Sequence, residues 1–193
     1  MSTKNVERFL NSYGKEVVKR ARENLVAAGK GGGKLEKSIE SKVVKFGDGF
    51  VLQWSMADYG AFVDKGVKGA GGKIKSGKHK GTWGGRRYYT TWQGQRKDSP
   101  FKFGSGTGKK GGLRKGIASF IRKKGLQPRS KGGQYMSTKS LVFLISRSVY
   151  IRGIHGVSFF QNSLRFGMKT FSARYGAAIK QDIIDTLRDS NNK

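Results

Sequence analysis

Acid–base, metal or nucleophilic chemistry would have to come from few side chains in this sequence: two histidines, His79 and His155, and 12 carboxylates, with no cysteine. Without thiolates, a zinc site needs imidazoles and carboxylates together. His79 stands in Lys78-His79-Lys80, where the flanking cations repel a metal ion, and His155 lies in Gly153-Ile154-His155-Gly156, which reads as a loop. Asp58 and Asp64 are six residues apart, so on one helix they point to different faces, and they read as capping and solubilising residues. Asp182 and Asp185 share a face and read as surface residues of an ordinary helix. A glycosidase-type pair must instead face across a cleft. Gly106-Thr107-Gly108-Lys109-Lys110-Gly111 fits G-x-G-x-x-G. A dinucleotide site needs that loop between a buried strand and a helix start, so that amide donors and the helix dipole converge on phosphate. Ser99 to Phe103 is no buried strand, Phe103 replaces the first glycine of a Walker loop, and Lys110 replaces its magnesium-binding hydroxyl. The sequence therefore predicts no catalytic residue, no metal ligand and no cofactor, and a protein that is not an enzyme.

The chemistry it does advertise is charge. Lys and Arg number 40 against 12 acids, a formal net charge of +28. Such an excess says nothing about fold but calls for an acidic partner: nucleic acid, an anionic membrane or acidic protein surfaces. Residues 68–134 hold 19 of the cations and a single acid, Asp98. Candidate partner-binding cations there, for an acidic protein surface or DNA, are Lys73, Lys75, Lys78, Lys80, Arg86, Arg87, Arg96, Lys97, Lys109, Lys110, Arg114, Lys115, Arg122, Lys123 and Lys124. Trp83, Tyr88, Tyr89 and Trp92 are the candidate aromatic anchors, in a cluster that continues to Phe101 and Phe103. Cations interleaved with rings suit nucleic acid, where the one neutralises phosphate and the other stacks on bases. They equally suit an extended arm whose rings anchor in a protein neighbour.

The elements that must position these residues fall into three parts. Val6, Phe9, Leu10, Tyr13, Val17, Ala21 and Leu25 recur at helical spacing, with Ser2 or Thr3 placed to cap the start and Gly29 to end it. Phe50, Leu52, Trp54 and Met56 alternate along a strand that follows Gly47-Asp48-Gly49, a hairpin signal. A two-residue turn sets Lys45 opposite Leu52, one more loop residue puts Phe46 on that face, and the sequence leaves both open. Tyr59, Phe62 and Val63 make a short helical face. The glycine-rich middle, 68–134, buries too little apolar surface to order alone, apart from a helical stripe of Leu113, Ile117, Phe120 and Ile121. From 137 to 189 the chain reads as helical, first with a broad apolar face at Leu141 to Val149, then with a closing amphipathic helix bearing Met168, Phe171, Tyr175, Ile179, Ile183 and Leu187. Met1 to Leu10 lacks the apolar run of a signal peptide, and no stretch reaches about 18 apolar residues, so neither secretion nor membrane spanning is expected.

Gly33-Lys34-Leu35-Glu36-Lys37-Ser38-Ile39, the glycine-turned hairpin and Tyr59-Gly60-Ala61-Phe62-Val63-Asp64-Lys65-Gly66 resemble the tail-completion proteins of tailed bacteriophages, also described as neck, head–tail joining or tail-terminator proteins. The order of Ile145 to Arg152, Gly153-Ile154-x-Gly156, Phe159-Phe160 and a closing helix resembles the end of such proteins. The likeness spans about 5–67 and 137–188, with 68–134 as an enlarged basic insertion. It implies an α+β fold, a homo-oligomeric ring, sixfold, in the virion neck or tail, other neck and tail proteins as partners, and no enzymatic activity. Localisation would be the virion, with the host cytoplasm during assembly. The expectation is thus a core domain of 1–67 with 135–193, an antiparallel hairpin packed on N- and C-terminal helices, and a basic arm of 68–134 that touches acidic neighbours or DNA in the channel. The alternative is a nucleic-acid-binding protein of DNA-packaging or ribosomal type.

Overall fold

The computed structural model describes residues 3–74, 81–83, 85–103, 112–127, 129 and 132–191. The chain is α+β, with helices α1 (Lys4–Ala27), α2 (Lys34–Ser38), α3 (Gly60–Lys65), α4 (Gly112–Lys124), α5 (Thr138–Arg152) and α6 (Phe159–Asn191). The strands are β1 (Glu40–Phe46), β2 (Gly49–Ser55), β3 (Val67–Lys68), β4 (Gly72–Ile74), β5 (Gly81–Trp83), β6 (Tyr88–Thr90), β7 (Arg96–Asp98) and β8 (Gly153–Ile154). They form four separate two-stranded ladders, β1–β2, β3–β8, β4–β5 and β6–β7. Packing divides the chain into two compact units: residues 1–64, 89–97 and 157–193 form the first, and 65–88 with 98–156 the second.

In the first unit α1 follows from its apolar spacing: Val6, Leu10, Tyr13, Val17, Val18, Ala21 and Leu25 are all buried. The stripe packs on α6 and on the β1–β2 hairpin. Leu35, Ile39 and Phe159 close the core with Val18, Ala21 and Leu25, and Trp54, Met56 and Phe160 pack against it. The helix stops before Gly29, at φ +68°. The hairpin turn is Gly47-Asp48, one residue earlier than an Asp-Gly turn, because Gly47 takes the positive φ (+56°) of the first turn position. Lys45 therefore pairs with Phe50, and Val43 with Leu52. The register moves by two, so the inward and outward faces are kept, and Phe46 stays 77 % exposed.

Helix α6 is one continuous helix of 33 residues from Phe159 onward, not a short segment followed by a closing helix. Its fully buried positions are Phe159, Ser163, Gly167 and Asp182. The expected stripe is only partly covered: Phe171 and Tyr175 are half-buried and pack on Phe9 of α1, whereas Met168, Ile183 and Leu187 are exposed. Small residues let α6 come close to α1, where Tyr13 Oη would lie 2.8 Å from a Cβ added at Gly167.

In the second unit, α4 and α5 pack on each other, and Ile121 is the buried residue of the α4 stripe, with Phe120 51 % exposed. Ser99 Oγ donates to the Gly66 carbonyl at 2.8 Å, and the Ala70 and Gly71 amides donate to the Tyr150 and Ile151 carbonyls at 2.8 and 3.1 Å. These bonds give the start of the basic segment a folded context that its composition does not suggest. The packing boundaries also differ from the charge boundaries at 68 and 134, because the half-buried Leu113 and Ile117 need an apolar partner and α5 supplies it. Among the described residues no helix is long and apolar enough to cross a membrane.

Candidate functional site

Two buried carboxylates organise the first unit, and both serve helix starts. Thr3, at the N-cap of α1, makes no side-chain capping bond. Asp182 of α6 takes that role: its Oδ1 accepts from the Asn5 amide (2.9 Å) and Asn5 Nδ2 (3.0 Å), and its Oδ2 from the Val6 amide (3.0 Å). Burial opposes the charge, yet these three donors hold the Asp182 carboxyl below its ordinary value. Asp185 accepts from Asn5 Nδ2 at 2.8 Å. Asp182 is 1 % exposed, which corrects the reading of a surface residue. Asp64, also buried, accepts from the Phe160 amide at 2.9 Å and so caps α6. Both carboxylates are thus committed to structure. Asp58 is exposed, and so is His155 in the β8 link. Among the described residues no group of three or more His, Cys, Asp or Glu is placed to hold a metal ion.

Between α1, the hairpin and α6 lies an open groove of about 700 Å³. Leu10, Phe50, Leu52, Trp92, Leu164, Met168, Phe171, Tyr175 and Ile179 are among its walls, which are mostly apolar. Much of the expected α6 stripe lines this groove instead of a closed core. One wall is tied by Glu16, which accepts from Arg174 at 2.8 Å, and the Arg174 guanidinium sits 5.4 Å from the Phe9 ring. Tyr13 stacks edge-on to Phe171 (4.9 Å), and its hydroxyl is buried without a hydrogen-bond partner. Burial raises the Tyr13 phenol above its ordinary value, the Glu16 charge adds to this, and Arg174 opposes it.

The second concentration of chemistry is charge in the second unit. It holds 21 Lys and Arg and one acid, Asp98, whereas the first holds 19 and 11. Of the expected cations, Arg114, Lys115, Arg122, Lys123 and Lys124 come together on α4, all but the Phe143-facing Arg114 without a partner among the described residues. Arg86 and Arg87 precede β6, and Lys73 and Trp83 lie in β4 and β5. Arg96 and Lys97 in β7, with Tyr89 and Trp92, belong to the first unit, and Tyr88 to the second, so packing divides the expected anchors. Trp92 lines the apolar groove, and its amide donates to Gln161 Oε1 at 3.1 Å. Lys75, Lys78, Lys80, His79, Lys109, Lys110 and the 106–111 glycine motif lie outside the described residues. Sequence reasoning missed Lys139 and Arg147, exposed on α5 beside α4. The signal was there: no acid occurs between Asp98 and Asp182.

Fold and surface together define an α+β protein with no group of three or more His, Cys, Asp or Glu placed for a metal among the described residues, an open apolar groove in the first unit and an acid-poor second unit. No known family, no curated protein and no solved structure matches the chain.

Proposed function

We propose that this chain is a structural, non-enzymatic subunit of a tailed-phage neck or tail. Copies assemble into a closed sixfold ring that joins the capsid connector to the tail or terminates the tail tube. The observation that carries the reading is the uncovered groove on α6. A helix that buries Ser163 and Gly167 while leaving Met168 and Leu187 exposed is shaped for contact beyond its own chain. In a ring each copy repeats the same contact, closure satisfies every copy, and avidity replaces a single strong site. The order of long helix, glycine-turned hairpin, short helix and closing helix supports the phage-neck assignment, because those are the segments that carry the resemblance. Such a subunit would reside in the virion neck or tail, pass through the host cytoplasm during assembly, and meet other neck and tail proteins.

Light scattering and negative-stain microscopy of the purified chain test this. Closed rings are expected, and Met168→Glu, a charge on an exposed groove residue, should leave folded monomers by circular dichroism. A wild-type chain that stays monomeric at high concentration, or an M168E chain that assembles unchanged, would overturn it.

A further inference from the structure

The second unit carries a surface for which the ring supplies no use. Helix α4 places Arg114 and Lys115 in its first turn and Arg122, Lys123 and Lys124 in its last. Lys115 and Arg122, seven residues apart, share one face and stand about 10 Å apart along the axis, with exposed Ser119 between them. Ile121 points away from that face and is buried, and Arg114 lies over the Phe143 ring of α5 at 5.7 Å, so the helix is held by its apolar side and presents Lys115, Arg122 and Lys123 outward, with Lys124 exposed at its end. Lys139 and Arg147 extend the surface on α5. None of Lys115, Arg122, Lys123, Lys124, Lys139 and Arg147 makes an ion pair among the described residues.

We infer that this α4–α5 face binds the phosphate backbone of duplex DNA without reading its sequence. The argument is charge complementarity. A protein partner presents acids mixed with cations and hydrogen-bonding groups, and a face matched to it carries some acids of its own. This unit has one acid against 21 cations over its whole length, which matches a partner of uniform negative charge. A membrane partner would call for an apolar outer face, whereas the exposed apolar residue of α4, Phe120, lies off the face of Lys115, Ser119 and Arg122. Duplex DNA offers a groove about 12 Å wide between phosphate rows, a span that the two cation clusters of α4 bracket. The inference deepens the proposed function by naming a partner, but the face does not depend on the ring for its geometry.

The test uses the full chain and fluorescence anisotropy on a 30-base-pair duplex of arbitrary sequence, over a salt series. Binding should be sequence-independent, and its logarithm should fall with log salt by about 0.9 per phosphate contacted. The variant K115Q/R122Q/K123Q/K124Q should keep its fold and its assembly, while the salt slope falls by about 3.6. A matched control, K34Q/K37Q/K42Q/K45Q, removes four exposed cations from the first unit and should leave the slope nearly unchanged. An equal loss in both variants would show that net charge alone attracts DNA, and would overturn a defined face. So would polyglutamate binding as tightly as duplex, or a single strand of equal length binding more tightly. Loss of assembly in the α4 variant with DNA binding intact would make the face a contact between copies, whereas failure of the ring with DNA binding intact strikes only the function proposed above.

Discussion

Replacing Asp182 by alanine removes the carboxylate by which the C-terminal helix caps the backbone amides at the start of the N-terminal one. The carboxylate accepts from the second and third residues of α1, 177 and 176 positions away in sequence, and from the Asn5 side chain. Losing a capping acceptor costs about 1 kcal/mol, and leaving a further buried amide without a partner adds about 1–2. A total of about 2–3 kcal/mol corresponds to a fall in Tm of about 5–10 °C for a chain of this size. Asp182→Asn keeps one acceptor oxygen but turns an amide donor toward the Val6 N–H, so a smaller loss is expected at neutral pH. The carboxyl is held below its ordinary value in the fold. Its contribution is therefore complete above the unfolded carboxylate pKa, about 3.9, and is lost as pH falls through the lower folded value. The wild-type advantage over Asp182→Asn should accordingly shrink below about pH 4. Calorimetry at one protein concentration, so that association does not shift Tm, reads both effects. A fall below about 2 °C for the alanine variant, or an Asp182→Asn difference that stays constant from pH 7 to pH 3, would refute the reasoning.

Tyr13→Phe removes a buried hydroxyl that has no partner, so denaturant unfolding should show no loss of stability or a small gain. The same phenol is raised by burial, so its contribution is complete below about pH 10 and lost above it; the alkaline arm of the stability profile should flatten in the variant. Gly14→Ala would bring a Cβ within 2.8 Å of Ser41 Oγ and 2.9 Å of Leu52 Cδ1, and Gly167→Ala within 2.8 Å of Tyr13 Oη. Each gains helix propensity, yet overpacking of about 1–3 kcal/mol should make both net destabilising by urea titration. Raising ionic strength from about 0.05 to 0.5 M should favour self-association, because it screens repulsion between cationic copies without weakening apolar contact. Light scattering that falls over that range would mean that ion pairs hold the copies together.

Local spacing made part of this legible. The α1 stripe is visible in Val6 through Leu25 because a 24-residue amphipathic helix repeats one signal many times. The parity of the hairpin faces is visible in Phe50, Leu52 and Trp54, although the turn is not: Gly47 and Gly49 flank Asp48, and either glycine offers a turn position. The roles of Asp64 and Asp182 are invisible, since their amide partners lie 96 residues or more away and nothing near either acid announces burial. Helix α6 shows why periodicity names a stripe but not its fate. Its large apolar residues are evenly spaced, yet only some of them, Phe171 and Tyr175, meet α1, and the closest approach falls at Ser163 and Gly167. The cations of α4 were legible from composition. Their neighbours on α5 were not, because the glycines thin out near residue 134 whereas the absence of acids continues past it.

Charge also sorts the two surfaces between the two proposed roles. The first unit carries a formal excess of 8 cations and the second an excess of 20. Bringing copies together through the second unit would set like charges side by side within a screening length of about 10 Å, and its exposed apolar residues, Phe120, Phe143 and Leu144 among them, would have to offset that repulsion. The first unit opposes association less, because its 11 acids are interspersed with its cations, and it owns the apolar groove. On the proposed reading, self-contact belongs with the groove and anion contact with α4. A polyanion on α4 would neutralise the larger share of the formal excess of positive charge.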